Sequence, residues 1–149
     1  MKIAVGNDHG GVELKNVLIK HLEKKGIEFF NFGTDTTDSV DYPEYGLKVA
    51  EAVASGEFDF GIVICGTGIG ISIAANKVPG IRCGHCHDVF SARMTRMHND
   101  ANMLAFGARV IGAGLMIDIV DAFLGAEFEG GRHQTRIDKI TQIEKKYSK

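Results

Sequence analysis

Residues 60–70 read FGIVICGTGIG, and no other stretch limits the possible folds as much. A short apolar run, too short for a helix and rich in β-branched residues, ends in Cys65. A Gly-Thr-Gly-Ile-Gly turn follows, and then Ile71-Ser72-Ile73-Ala74-Ala75-Asn76, which reads as a helix. A strand that feeds a helix through a glycine turn is the repeating unit of a parallel sheet. Such a turn exposes backbone N–H groups at the positive end of the helix dipole, where an oxyanion or a phosphate is held. Cys65 stands at the mouth of that cradle, a setting that favours thiolate chemistry.

The rest of the chain alternates in the same way. Strands are expected at Lys2–Val5, Ile27–Phe32, Phe60–Cys65, around Ile81–Cys83 and at Met103–Phe106. Helices are expected at Gly11–Lys25, Pro43–Ala54, Ile69–Lys77, Val89–His98, Gly114–Leu124 and Arg132–Tyr147. Leu14, Val17, Leu18 and Leu22 fall on one face of the first helix, and Gly26 stops it as a C-cap would. Pro43 suits a first helical turn. Ile137, Ile140, Ile143 and Tyr147 form a stripe along the last helix. The pattern predicts one α/β domain over residues 1–149, a three-layer αβα Rossmann-like doubly wound parallel sheet of five strands. Small sheets of this type often run 2-1-3-4-5, with the ligand at the switch point between strands 1 and 3. The carboxyl ends of those strands carry Gly6-Asn7-Asp8-His9-Gly10 and Cys65-Gly66-Thr67-Gly68, which would then meet at one crevice.

Charge and cysteine content narrow the function classes. A net charge of -2 with no basic run gives nucleic acid no electrostatic hold. No apolar run approaches a membrane span, and the amino-terminal stretch MKIAVGNDHGG lacks the shape of a signal peptide. Three cysteines, Cys65, Cys83 and Cys86, form no disulfide framework, so a reducing cytoplasm is the expected location.

Individual residues carry chemistry beside ordinary alternatives. The Gly66–Gly70 turn has G-x-G-x-G spacing rather than the dinucleotide G-x-G-x-x-G, and no acidic ribose ligand follows, so it suits an anion better than a nucleotide. Asp8 and His9 follow the first strand and suit proton transfer or phosphate binding, although Asp8 also suits a helix cap. His98 and Asn99 end a helix, where they read either as polar caps or as an acid beside an amide for sugar hydroxyls. Arg132 and Arg136 share a helix face at i, i+4 and suit a phosphate dianion or plain solvent, and Arg109 exits a strand towards the same anion. Cys83, His85, Cys86 and His87 look like metal ligands, but zinc sites usually draw two pairs from separated loops. Strand alternation sends Cys83, His85 and His87 to one face and Cys86 to the other. No metal is expected there.

Five stretches in order, NDHGG at 7–11, DYPEY at 41–45, GIVICGTGIGISIAANK at 61–77, HNDANMLAFGAR at 98–109 and EGGRHQTRI at 129–137, resemble the type B ribose-5-phosphate isomerases. The galactose-6-phosphate isomerase subunits of the lactose pathway belong to the same superfamily. The resemblance runs over nearly the whole chain and is loosest at Cys83–His87. It implies a cofactor-free aldose–ketose isomerase acting through a cis-enediolate. By position, Cys65 matches the base that moves a proton between C1 and C2; some relatives use a glutamate instead. The amides of Gly66, Thr67, Gly68, Ile69 and Gly70 match the anion hole, and His98 matches the ring-opening acid. Asp8 matches a group on the sugar hydroxyls, Tyr42 one lining the ring, and Asn99 a further substrate contact. His9, Arg109, Arg132 and Arg136 match the phosphate-binding set. The resemblance also implies a homodimer, possibly a tetramer, with the site shared between chains and the C-terminal helix serving dimerisation. Two other readings stand beside it: the same chemistry on a six-carbon sugar phosphate, and a non-catalytic nucleotide-binding module.

Overall fold

The computed structural model describes all residues, 1–149. Its elements are β1 Lys2–Asn7, a 3₁₀ turn at His9–Gly11, α1 Val12–Lys24, β2 Glu28–Asn31, α2 Tyr42–Ala54 and β3 Phe60–Cys65. Then follow α3 Ile69–Ala75, β4 Cys83–His85, α4 Val89–Asn99, β5 Met103–Gly107, α5 Ala113–Leu124 and α6 Arg132–Tyr147. All five strands pair in parallel in one sheet.

Side-chain alternation builds two cores, one on each face of the sheet. Ile3 and Val5 of β1, Ile62 and Ile64 of β3, and Leu104 and Phe106 of β5 pack with Leu14, Leu18 and Leu22 of α1 and with Met116, Ile119 and Phe123 of α5. Their neighbours Ala4, Val63, Cys65, Met103 and Ala105 point to the other face, onto Val49, Ala50 and Val53 of α2 and Ile71 and Ala75 of α3. A strand buried on both faces needs apolar residues at consecutive positions, which is why β3 and β5 read as continuous apolar runs.

The order is β2-β1-β3-β5-β4, so the expected 2-1-3-4-5 is corrected at its outer pair. The five residues of β5 are all buried and take the inner place, while β4 has three residues, one of them exposed. A short, polar strand suits an edge, where half its backbone groups face away from the ladder. The switch point between β1 and β3 is unaffected.

Two local differences concern positions near the site. The third helix ends at Ala75 rather than Lys77, with only seven residues, so the amides of the loop matter more there than a helix macrodipole. Along α6 only Ile137 of the expected stripe is buried; Ile140 is 48% exposed, Ile143 61% and Tyr147 75%. The apolar face of α6 is thus mostly without a partner inside the chain.

Lys15 of α1 is fully buried, although its side chain carries a charge. Its ammonium donates to the Thr34 carbonyl at 2.9 Å and pairs with the Asp35 carboxylate, so the buried charge is compensated. The Lys15 ammonium holds the Asp35 carboxyl below the ordinary carboxylate range. This ties the segment after β2 to α1, beside the switch point.

Candidate active site

The two glycine-rich turns meet as the architecture requires. The Asp8 N–H donates to the Ile64 carbonyl at 3.2 Å, and a Cβ placed on Gly10 would lie 3.2 Å from the Gly66 nitrogen. Asp8 also caps the 3₁₀ turn, accepting from Gly10 N–H at 2.9 Å through Oδ1. His9 Nδ1 accepts from the Val40 N–H at 3.1 Å, which fixes its ring against the loop before α2.

Cys65 ends β3, and its sulfur accepts a hydrogen bond from the Gly68 N–H at 3.1 Å. Gly68 sits in the left-handed region at φ 76°, and a Cβ there would strike Phe106 at 2.6 Å. Both the backbone angle and the close approach therefore demand glycine. Thr67 Oγ1 accepts from the Ile69 N–H at 3.3 Å and closes the turn. The exit of β5 is stitched to the same loop: Ala108 N–H donates to the Cys65 carbonyl at 2.9 Å, and Arg109 N–H to the Gly66 carbonyl at 3.0 Å. The Arg109 guanidinium lies across Gly66, 3.4 Å from where a Cβ would stand. The Tyr42 ring covers Gly70, where an added Cβ would lie 2.5 Å from the ring. His9, Gly10, Thr37 and Arg109 share a cavity of about 460 Å³. One rim thus gathers Asp8, His9, Tyr42, Cys65, Gly66, Thr67, Gly68, Ile69, Gly70 and Arg109.

The other expected residues lie elsewhere. A helix that follows a parallel strand runs back against it, so the end of α4 lies at the amino ends of the strands. His98 and Asn99 are in that last turn. Asn102, just beyond, accepts through its carbonyl from Gly61 N–H at the start of β3, whereas Cys65 pairs with Gly107 at the opposite end. Four strand residues separate these levels, about 13 Å at the usual strand rise. Arg132 and Arg136 start α6, which packs on α4, and both are exposed with no ion pair inside the chain. The chain therefore does not bring His98, Asn99, Arg132 and Arg136 to its own Cys65. Asn99 borders a cavity of about 680 Å³ with Ile140, Ile143 and Tyr147, the largest in the chain and remote from the thiol.

At this second corner the structure adds two residues that the spacing argument passed over. The His98 and His133 rings stack, 4.2 Å between centroids and 8° between planes. Glu129 Oε2 lies 3.2 Å from His133 Nε2 and 3.8 Å from His98 Nε2. Glu129 lies before α6, beyond two glycines at positive φ, so no helical spacing in the sequence could have flagged its contact with His133. The three groups fall within 4.8 Å, close enough for a metal. The parallel rings argue otherwise: lone pairs in parallel planes run side by side and cannot converge on one ion.

Cys83 and Cys86 also form no ligand pair. Cys83 packs with the core beneath α2 and α3, Cys86 with the core beneath α1 and α5. Burial pushes the Cys83 thiol well up and the Cys86 thiol up to about 11, so both stay protonated and inert near neutral pH. His85 and His87 contact each other edge to face at 4.6 Å, on the same side as the alternation predicts.

A family model described as Ribose/Galactose Isomerase matches residues 3–140. The chain belongs to the ribose/galactose isomerase family. It is an enzyme, an aldose–ketose isomerase. Ribose-5-phosphate isomerase B of Escherichia coli strain K12 is 54% identical over 145 residues, 97% of each chain. The solved structure of Clostridium thermocellum ribose-5-phosphate isomerase B superposes with a TM-score of 0.98 at 64% identity, covering 99% of this chain and 100% of that one. D-erythrulose-4-phosphate isomerase of Pectobacterium atrosepticum is 42% identical over 145 residues, 97% of this chain and 95% of its own. The family is the one that the five ordered stretches indicated. No helix is long and apolar enough to cross a membrane.

Proposed function

We propose that the protein interconverts ribose 5-phosphate and ribulose 5-phosphate through a cis-enediolate. The observation that carries this reading is the Cys65 sulfur, held 3.1 Å from the Gly68 N–H in a glycine loop crossed by the Arg109 guanidinium. That rim combines a proton carrier with donors for a developing negative charge. The likeness to two ribose-5-phosphate isomerases B supports the pentose phosphate as substrate.

The free sugar is mostly a closed ring, so His98 first gives a proton to the ring oxygen while the C1 hydroxyl passes its proton to water, from which His98 is reprotonated; this opens the aldehyde. The Cys65 thiolate then takes the C2 proton, and the electron pair moves onto the carbonyl oxygen at C1. The amides of the Gly66–Gly70 loop other than Gly68, whose N–H faces the Cys65 sulfur, hold that oxyanion; removing one such donor typically costs about 100- to 1000-fold in rate. Cys65 returns the proton to C1 as C2 becomes the ketone, and the C2 hydroxyl proton passes to O1, with Asp8 contacting these hydroxyls. Tyr42 flanks the carbon chain and Asn99 adds a contact. His9, Arg109, Arg132 and Arg136 bind the phosphate, whose binding energy holds the reacting carbons in register. No step calls for a metal or an organic cofactor.

Because Cys65 and His98 lie at opposite edges of one sheet, the complete site uses two copies of the chain. The exposed Ile140, Ile143 and Tyr147 on α6 give such a homodimer an apolar face to bury. The three free thiols suit a reducing cytoplasm.

The deciding experiment follows ribose 5-phosphate conversion by the wild type and by Cys65→Ala. Turnover lost in a folded variant supports substrate and base together; near wild-type turnover in the variant removes Cys65 from the mechanism. A second reading keeps the chemistry and changes the sugar, motivated by a relative named for a four-carbon phosphate and a family named for galactose as well as ribose. Relative kcat/KM on four-, five- and six-carbon phosphates separates the two.

A further inference from the structure

One peptide group connects Cys65 to the histidine at the edge of the sheet. The carbonyl of Thr67 accepts a hydrogen bond from His85 Nε2 at 2.9 Å. The N–H of the same peptide, which belongs to Gly68, donates to Cys65 Sγ at 3.1 Å. The chain has no cis peptides, so the C=O and N–H of this unit point in opposite directions. Anchoring the oxygen at His85 therefore aims the hydrogen at the sulfur. A carbonyl can only accept, so His85 carries its proton on Nε2.

His87 braces the neighbouring backbone. Its Nε2 accepts from the Gly107 N–H at 2.9 Å and so bears no proton. Burial, with His85 beside it, pushes the His87 imidazole below its ordinary value and keeps it neutral. A Cβ on Gly107 would lie 2.6 Å from the Thr67 carbonyl carbon, so the braced strand end backs directly on the loop. His85 Nε2 itself would be 2.9 Å from a Cβ on Gly68, so the imidazole also covers the turn. These imidazoles come from β4 and the turn after it, neither of which contributes a residue to substrate binding in the proposed mechanism.

We propose that His85 is a positioning residue for the reaction, orienting and polarising the Thr67–Gly68 peptide so that its N–H stabilises the negative charge on Cys65. Hydrogen bonds in series strengthen one another, by roughly 10–30% per bond in condensed phase. The donor that faces the thiolate is then stronger than an unsupported amide. The charged and titratable groups around this unit are His87 and Asp88 on the β4 side, Asp8 and His9 from the turn after β1, Arg109 from the exit of β5, and Tyr42 over Gly70. This inference rests on the reading of Cys65 as the proton carrier.

Three proteins test it: wild type, His85→Ala and His85→Gln, whose amide N–H can replace the imidazole donor. The first readout is ultraviolet thiolate absorbance against pH, with the signal of Cys65→Ala subtracted to isolate Cys65. Cys83 and Cys86 titrate too high to interfere near neutrality. His85→Ala is expected to move the Cys65 midpoint up by about half a pH unit, the scale of one lost hydrogen bond. The second readout is ribose 5-phosphate turnover, where kcat should fall several-fold with KM nearly unchanged, and His85→Gln should recover both readouts. An unmoved thiolate midpoint in His85→Ala overturns the proposal, and so does His85→Gln behaving like His85→Ala. If the midpoint moves and returns while even the wild type leaves ribose 5-phosphate unconverted, the peptide link stands and the substrate assignment falls.

Discussion

The rim around Cys65 and the corner around His98 are built on different principles. At the rim, every group except Tyr42, which opens α2, hangs from a core strand or from a glycine turn stitched to one, and the backbone has little freedom. Cys65 and Gly68 are buried, and the loop is bonded to β5 at both Ala108 and Arg109. At the corner, His98, Asn99, Arg132 and Arg136 stand on helix ends at the opposite edge of the sheet, and both arginines project unpaired. The rim reads as a finished cradle and the corner as a set of donors that reach outward. A parallel sheet explains the split: strand ends and the ends of the returning helices necessarily fall on opposite edges.

The largest expected effect tests the rim. Cys65→Ala should lower kcat on ribose 5-phosphate by about 100- to 10,000-fold, the usual worth of a positioned general base, with an unchanged circular dichroism spectrum. Mixing tests whether the corner serves a neighbouring rim. Cys65→Ala and His98→Ala, each nearly inactive alone, should regain about a quarter of wild-type activity when unfolded and refolded together, because each mixed dimer holds one intact site. No recovery, with mixed dimers demonstrated by mass, would place both residues in the site of a single chain.

Next come the arginines. Arg132→Ala or Arg136→Ala should raise KM for phosphorylated sugars about tenfold, the scale of one charge-assisted contact, and leave any turnover of unphosphorylated aldoses unchanged. Equal effects on both substrate types would mean that these side chains do not read phosphate.

The smallest effect is one of stability and belongs to the support of the rim. Lys15 lowers the Asp35 carboxyl in the folded state, so the pair stabilises above the ordinary aspartate range near pH 3.9 and that contribution fades as pH falls through the folded value. Asp35→Asn should flatten the dependence of urea midpoint on pH below about pH 4. The Asp35 side chain is largely exposed, so the change is expected to be small.

The rim was legible in the sequence because local rules cover it. Strand alternation, the glycine demand of a tight turn and the adjacency of β1 and β3 lead to Cys65, Asp8 and the loop amides without knowledge of distant packing. The corner was legible only as residue types. Nothing in the spacing of His98, Glu129 and His133 says that two rings from separate helices will stack, or that a carboxylate will bridge them. Lys15 shows the same limit: its burial depends on a carbonyl and a carboxylate from the segment after β2, which helical periodicity does not reveal.

By itself the sequence determined the alternating elements, the two-faced core, the cradle at Cys65 and the family. Those properties follow from the apolar periods, the glycine positions and five ordered stretches of residues. Only the tertiary structure decided that β5 lies inside β4, that His98 sits across the sheet from Cys65, and that His85 grips the peptide facing the thiol. Each of these depends on how segments far apart in the chain pack, which is set by the surfaces left to bury once the local elements have formed.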